Sequence, residues 1–152
     1  MLMPGQAHIV EPGAGRSVDL GVVSMRVIAA GESTTGGNFT LAEFYGSGSG
    51  AWTVPHLHRG FEESFYVLDG LFTFTVGDEE REATPGTYIL VPRGTAHTIR
   101  ADEGGGRFLT LMVPGGLEEM FFELGQLPPN AIRDPEARAA ISARYDSIPV
   151  QA

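Results

Sequence analysis

The sequence predicts an all-β domain, a sandwich or barrel, followed by a short helical tail. Three observations carry this. Segments of β character recur about every 8–12 residues between Leu20 and Val113, the spacing of sandwiches and barrels. Phe72, Phe74 and Val76 alternate with Thr73 and Thr75, a period-2 pattern that places one side-chain set on a buried face. The 152 residues include 21 glycines and 10 prolines. That is roughly a fifth of the chain against a usual share of about 12%, and it demands many turns between short elements.

Residues 1–17 are rich in Gly and Pro and are expected on the surface, or to add one edge strand at His8–Val10. Leu20–Ala29, rich in Val and Ile, is the first clear β segment, and Phe39–Tyr45 follows after a GESTTGGN turn. Gly46–Gly50 (GSGSG) is a flexible loop. Trp52–His58 and Glu63–Leu68 are short strands, with Asp69-Gly70 as a hairpin signal before the alternating segment. Gly77-Asp78 turns again, and the charged run Asp78–Glu82 is expected as a solvated turn. Thr87–Val91, His97–Ala101 and Arg107–Val113 complete the series, with Asp102–Gly106 as a mobile acidic loop. Beyond Pro114 the period changes: Leu117, Met120, Phe121 and Leu124 sit at i, i+3, i+4 and i+7, a helix ended by Gly125. Asp134 as N-cap and Pro135 at the first helical position open a second helix to about Tyr145. The helices are expected to pack on the outside of the barrel or on a partner subunit. Residues 1–152 are expected to form one domain, with a barrel core at about 20–113 and helices at about 115–146.

Composition narrows the chemistry. There is no cysteine, which removes disulfides, thiolate zinc sites, iron–sulfur clusters and thiol nucleophiles. There is no lysine, which removes Schiff-base catalysis; all ten basic residues are arginine, and none cluster. With a net charge of −9, a nucleic-acid partner is not expected. No apolar run approaches the roughly 18 residues of a membrane span. The first residues have neither a basic nor an apolar leader region, so a cytoplasmic protein is expected.

Three of the four histidines lie in two compact segments. His56 and His58 are two residues apart and share a face if the segment is extended. Glu63 follows the Arg59-Gly60 turn and can return to that face, with Phe65 and Val67 in the same parity. His97 comes from a distant strand. Three imidazoles and a carboxylate meeting in a barrel would form a nitrogen-and-oxygen site for a divalent transition metal, with positions open to substrate or water.

These residues resemble the cupin family. Gly50, His56, His58, Glu63 and Gly70 satisfy its first motif, G-x5-H-x-H-x3,4-E-x6-G. Gly86, Pro92, Gly94 and His97 satisfy the second, G-x5-P-x-G-x2-H-x3-N, except that Ala101 replaces the final Asn. The segment between the motifs, Leu71 to Pro85, is 15 residues, near the family's minimum. The resemblance covers roughly residues 20–113. It implies a jelly-roll β-barrel, with His56, His58, Glu63 and His97 as ligands of iron, manganese, nickel or zinc. The family tolerates either acid spacing, so Glu62 is the alternative ligand. The distance to Gly70 and the Phe65/Val67 parity favour Glu63, leaving Glu62 solvated or paired with Arg59.

The resemblance also implies a function: oxygenation of a small oxygen-rich substrate, such as a flavonol or a polyketide-like compound, in the manner of the quercetin-dioxygenase branch. Glu63 would then double as a base toward a substrate hydroxyl. Two other functions fit the same site: non-oxidative isomerase, cyclase or lyase chemistry, and small-molecule binding without turnover. A homodimer is implied by the family, through the C-terminal helices or an edge strand. His8 and Arg100 are expected on the surface. Phe44, Tyr45, Trp52, Phe65, Phe72, Phe74, Tyr88 and Met112 are expected mostly as core rather than pocket lining.

Overall fold

The computed structural model describes residues 1–150. Its strands are β1 (Ser17–Asp19), β2 (Ser24–Ala29), β3 (Thr40–Gly46), β4 (Gly50–Ala51), β5 (His56–Leu57), β6 (Glu62–Val76), β7 (Glu79–Ala83), β8 (Tyr88–Val91), β9 (His97–Val113) and β10 (Ile148–Pro149). Two helices, α1 (Glu118–Gly125) and α2 (Pro135–Ser142), separate β9 from β10. Every strand pairing is antiparallel.

The long strands β6 and β9 organise the fold. They pair from Glu62↔Val113 to Val76↔His97, with register shifts between Val67 and Asp69 and between Gly70 and Phe72. In a straight ribbon Glu63 and Val76 would lie about 40 Å apart. Yet Glu63 Oε1 is 3.1 Å from His97 Nε2, and His97 is the ladder partner of Val76. The ribbon is therefore folded double. One half (Glu62–Asp69 with Arg107–Val113) carries β8 on one side and β3, β2 and β1 on the other. The other half (Phe72–Val76 with His97–Ala101) carries β7 on one side and β4, β5 and β10 on the other. This is a jelly-roll sandwich, the predicted all-β class with a helical tail.

The fold line is made of glycines. Gly70 has φ +84°, and a Cβ there would overlap the Gly105 carbonyl; one on Gly105 (φ +67°) would overlap the Gly46 carbonyl. Gly70→Ala is accordingly expected to cost roughly 3–5 kcal/mol by denaturant unfolding, adding backbone strain to a main-chain clash. Gly86 has φ +93° with open space where a Cβ would point, so Gly86→Ala should cost only about 1 kcal/mol. Equal costs would show that the fold line tolerates a side chain.

Several expectations are corrected here. Asp69-Gly70 is a bend inside β6 rather than a hairpin turn, and Asp102–Gly106 lies within β9 rather than in a mobile loop. The solvated run ending at Glu82 belongs largely to β7. His8–Val10 forms no strand.

The two halves enclose an aromatic core. Phe108 contacts Phe44, Trp52, Phe65, Phe72 and Phe74 at centroid distances between 5.2 and 6.0 Å. Phe72, Phe74 and Met112 are almost wholly buried. Helix α1 buries Met120, Phe122 and Leu124. The Asp134 side chain caps α2 by accepting from Glu136 N, with Pro135 at the start as expected, but α2 buries no residue. No helix among the described residues is long and apolar enough to cross a membrane.

Candidate metal centre

The fold brings His56, His58, Glu63 and His97 together, their candidate ligand atoms all within 4.8 Å of one another. His56 lies in β5 and pairs across the ladder with His97, the first residue of β9. Their rings are 4.2 Å apart, and the His58 ring is 4.8 Å from His56 and 5.3 Å from His97. Glu63 enters from β6 across the doubled ribbon. His58, Glu63 and His97 are buried, whereas His56 is only partly covered.

All three rings are oriented the same way. Nδ1 of His56 lies 2.7 Å from the Val54 carbonyl oxygen, Nδ1 of His58 2.8 Å from that of Asp146, and Nδ1 of His97 3.1 Å from that of Thr95. A carbonyl oxygen only accepts, so Nδ1 is the donor in each ring, and in the neutral ring the Nε2 lone pair faces inward. The inward atoms are then three imidazole nitrogens and a carboxylate. His97 Nε2 is 3.1 Å and His58 Nε2 3.4 Å from Glu63 Oε1, and the buried His58 Nε2 makes no hydrogen bond.

Acceptors facing acceptors need a positive charge between them. Burial pushes the Glu63 carboxyl up, but the adjacent His58 and His97 imidazoles outweigh it and hold the pKa near about 2. Burial works against a charged His58, yet Glu63 reverses the balance and raises its pKa above the usual value. Burial, reinforced by His97, lowers His56 to about 4. Without metal, Glu63 favours a proton on His58. A set of three nitrogens and one oxygen with backbone-anchored rings is suited to a divalent transition metal.

Glu62 points elsewhere and pairs with Arg93 at 2.6 Å, not with Arg59. His8 sits on the surface, its Nε2 2.7 Å from the Ile28 carbonyl oxygen, and Arg100 is exposed on β9. Phe44, Trp52, Phe65, Phe72, Phe74 and Met112 are core, Tyr45 is partly covered and Tyr88 is 60% exposed. Two contributors had no sequence signal. Phe61 stacks on the His58 ring at 4.3 Å and 26°, and Asp146 reaches His58 from the far end of the chain.

A jelly roll with a histidine-and-glutamate cluster between its two sheets defines a class, the metal cupins. Residues 46–114, which include all four clustered side chains, match the cupin domain model, and the chain carries a cupin domain. It is 31% identical over 118 residues to quercetin 2,3-dioxygenase of Bacillus subtilis (strain 168), covering 78% of this chain and 34% of that protein. It is 32% identical over 77 residues to quercetin 2,3-dioxygenase of Aspergillus japonicus, covering 47% of this chain and 22% of that one. The chain thus spans about a third or less of the length of these two relatives. Among solved structures, an RmlC-like cupin from Shewanella frigidimarina NCIMB 400 superposes with a TM-score of 0.62 at 18% identity. That match covers 77% of this chain and 99% of the other. The cofactor of this cupin is a divalent transition metal.

Proposed function

We propose that His56, His58, Glu63 and His97 hold one such metal, and that the chain is an oxygenase acting on a small oxygen-rich substrate of flavonol or polyketide type. The observation that carries this is the common ring orientation: each Nδ1 faces a backbone carbonyl, and each Nε2 faces Glu63 or its neighbours. Bound there, iron(II), manganese or nickel would supply Lewis acidity and redox chemistry toward a chelating substrate and dioxygen. The identity to two quercetin 2,3-dioxygenases supports the substrate class.

The chain's own residues supply position and proton handling. Phe61 packs against His58 and Phe65 lies beside His97, keeping water from the inner side of the cluster. His56 is the partly open member, so substrate enters from its side, past the exposed Val54. Glu63 acts as the base and takes a substrate hydroxyl proton on its carboxylate. A carboxylate is a weak base, so only acidic hydroxyls such as phenols, enols and enediols, and not simple alcohols, fit this role. Residues 20–113 form the working core of a single domain, with the helices at 115–146 packed outside it.

Oxygen consumption tests the assignment. Protein loaded with iron, manganese or nickel should consume oxygen with at least one flavonol, catechol, enediol or diketone. Glu63→Gln should lower the rate by roughly 10²–10⁴-fold. No uptake with any metal would overturn the oxygenase assignment, and turnover without oxygen would replace it by non-oxidative chemistry.

The same proposal includes a homodimer. Tyr66, Leu68, Tyr88, Leu90 and Leu111 are exposed on the outer face of one sheet. These five side chains carry no charge, and such a patch is where two copies of a chain of net charge −9 meet with least repulsion. A monomer by sedimentation at micromolar concentration would remove this part.

A further inference from the structure

The Nδ1 partners of the three histidines differ in origin. His56 and His97 bond to carbonyls two residues earlier in their own segments, at Val54 and Thr95. Both are set by local chain geometry. The His58 partner is Asp146, 88 residues away in sequence.

Asp146 is tied to this region by more than its carbonyl. It has φ +56°, the sole positive φ of a non-glycine residue among those described. That conformation costs an L-residue roughly 1 kcal/mol and has to be held by neighbouring contacts. Its carboxylate accepts from Arg59 N at 3.1 Å and from Gly60 N at 2.6 Å. These amides belong to the turn that separates His58 from Glu63. Ser147 is buried, Ile148 and Pro149 pair with Leu57 and His56 in β10, and Val150 N donates to Pro55 O at 3.0 Å. The segment from Asp146 to Val150 therefore lies along Pro55–Gly60, the stretch that carries two of the four clustered side chains.

We infer that Asp146 is a positioning residue for the metal centre, and that residues 146–150 are a strap whose docking and metal occupancy reinforce each other. The carbonyl of Asp146 aims His58, while its carboxylate fixes the turn between His58 and Glu63. If metal binds more tightly with the strap docked, the strap docks more firmly with metal bound, by the same factor. This inference rests on the four residues being ligands. It does not depend on oxygenase chemistry.

Hydrogen–deuterium exchange on the unaltered protein, without metal and with cobalt(II), gives the first test. Amides of Arg59, Gly60 and Val150 should exchange more slowly when cobalt is bound. A second test compares cobalt affinity and the visible cobalt spectrum of the parent with those of Asp146→Gly, Asp146→Asn and a chain ending at Tyr145. Asp146→Gly keeps the backbone conformation and the carbonyl but loses the carboxylate, and Asp146→Asn keeps the side-chain shape. The shortened chain should lose affinity about 10- to 100-fold with an altered spectrum. Asp146→Gly should lose less, and Asp146→Asn should recover most of the parent's affinity. Unchanged exchange on cobalt loading, or a folded shortened chain with the parent's affinity and spectrum, would overturn the inference. Failure of the parent itself to bind cobalt would overturn the ligand assignment beneath it. Absence of oxygen uptake alone would leave these readouts untouched.

Discussion

Replacing His56 and His58 together by alanine is expected to reduce metal in the purified protein from near one ion per chain to a trace. Four-ligand structural zinc sites are worth on the order of 10–16 kcal/mol, so each ligand contributes roughly 3 kcal/mol. Losing two should weaken affinity by roughly 10⁴-fold. Glu62→Ala is the matched control. Glu62 is adjacent to Glu63 in sequence but pairs with Arg93 outside the cluster, so its removal should leave metal content intact. Elemental mass spectrometry of the three proteins checks both statements. Equal metal in parent and double variant would place any bound ion elsewhere.

The second large effect is on pH dependence. His56 is held neutral down to about pH 4, whereas in the unfolded chain it takes up a proton near 6.5. Between those values the unfolded state binds more protons, so metal-free stability falls as pH drops from 6.5 to about 4, by up to about 3 kcal/mol. Glu63 works in the same direction lower down: its contribution is present above 4.5 and is lost as pH falls through about 2. His58 works in the opposite direction. Its raised pKa gives stability that is complete below 6.5 and lost as pH rises through its folded value. Metal-free protein should therefore be most stable near pH 6.5. A metal competes with protons for the histidine nitrogens, so metal-bound protein should gain on the metal-free form as pH rises. Thermal unfolding with and without metal should show a Tm increment that grows from pH 5 to 7.5 and vanishes toward pH 4. An increment independent of pH would mean that no histidine proton is displaced.

How much of this was legible follows from how far apart the cooperating residues lie. His56, His58 and Glu63 sit within one turn-linked segment, and His97 lies in a second motif of fixed spacing, so the clustered side chains could be named from sequence. The parity that favoured Glu63 over Glu62 works because Glu63, Phe65 and Val67 are buried on one face of β6, while Tyr66 and Leu68 on the other are exposed, Ser64 being the one buried exception. The glycines misled for a physical reason. Asp69-Gly70 and Gly104–Gly106 have local turn chemistry, but here small residues let two paired strands bend together, and pairing skips residues 102–105 and resumes at Phe72↔Ala101. Strand β7, EEREA, is exposed at its first four positions and shows no alternation, so its charges read as a turn. The Asp146 contact was illegible because a main-chain carbonyl does the work, and any residue would supply one. Only the path of the chain from β9 through both helices brings it back to His58.

Anomalous diffraction at the metal absorption edge, on crystals of metal-loaded protein, tests the central claim most directly. A single strong peak at bonding distance from Nε2 of His56, His58 and His97 and from the Glu63 carboxylate is the expected result. A loaded crystal with no peak there, or with its peak on other residues, would contradict it.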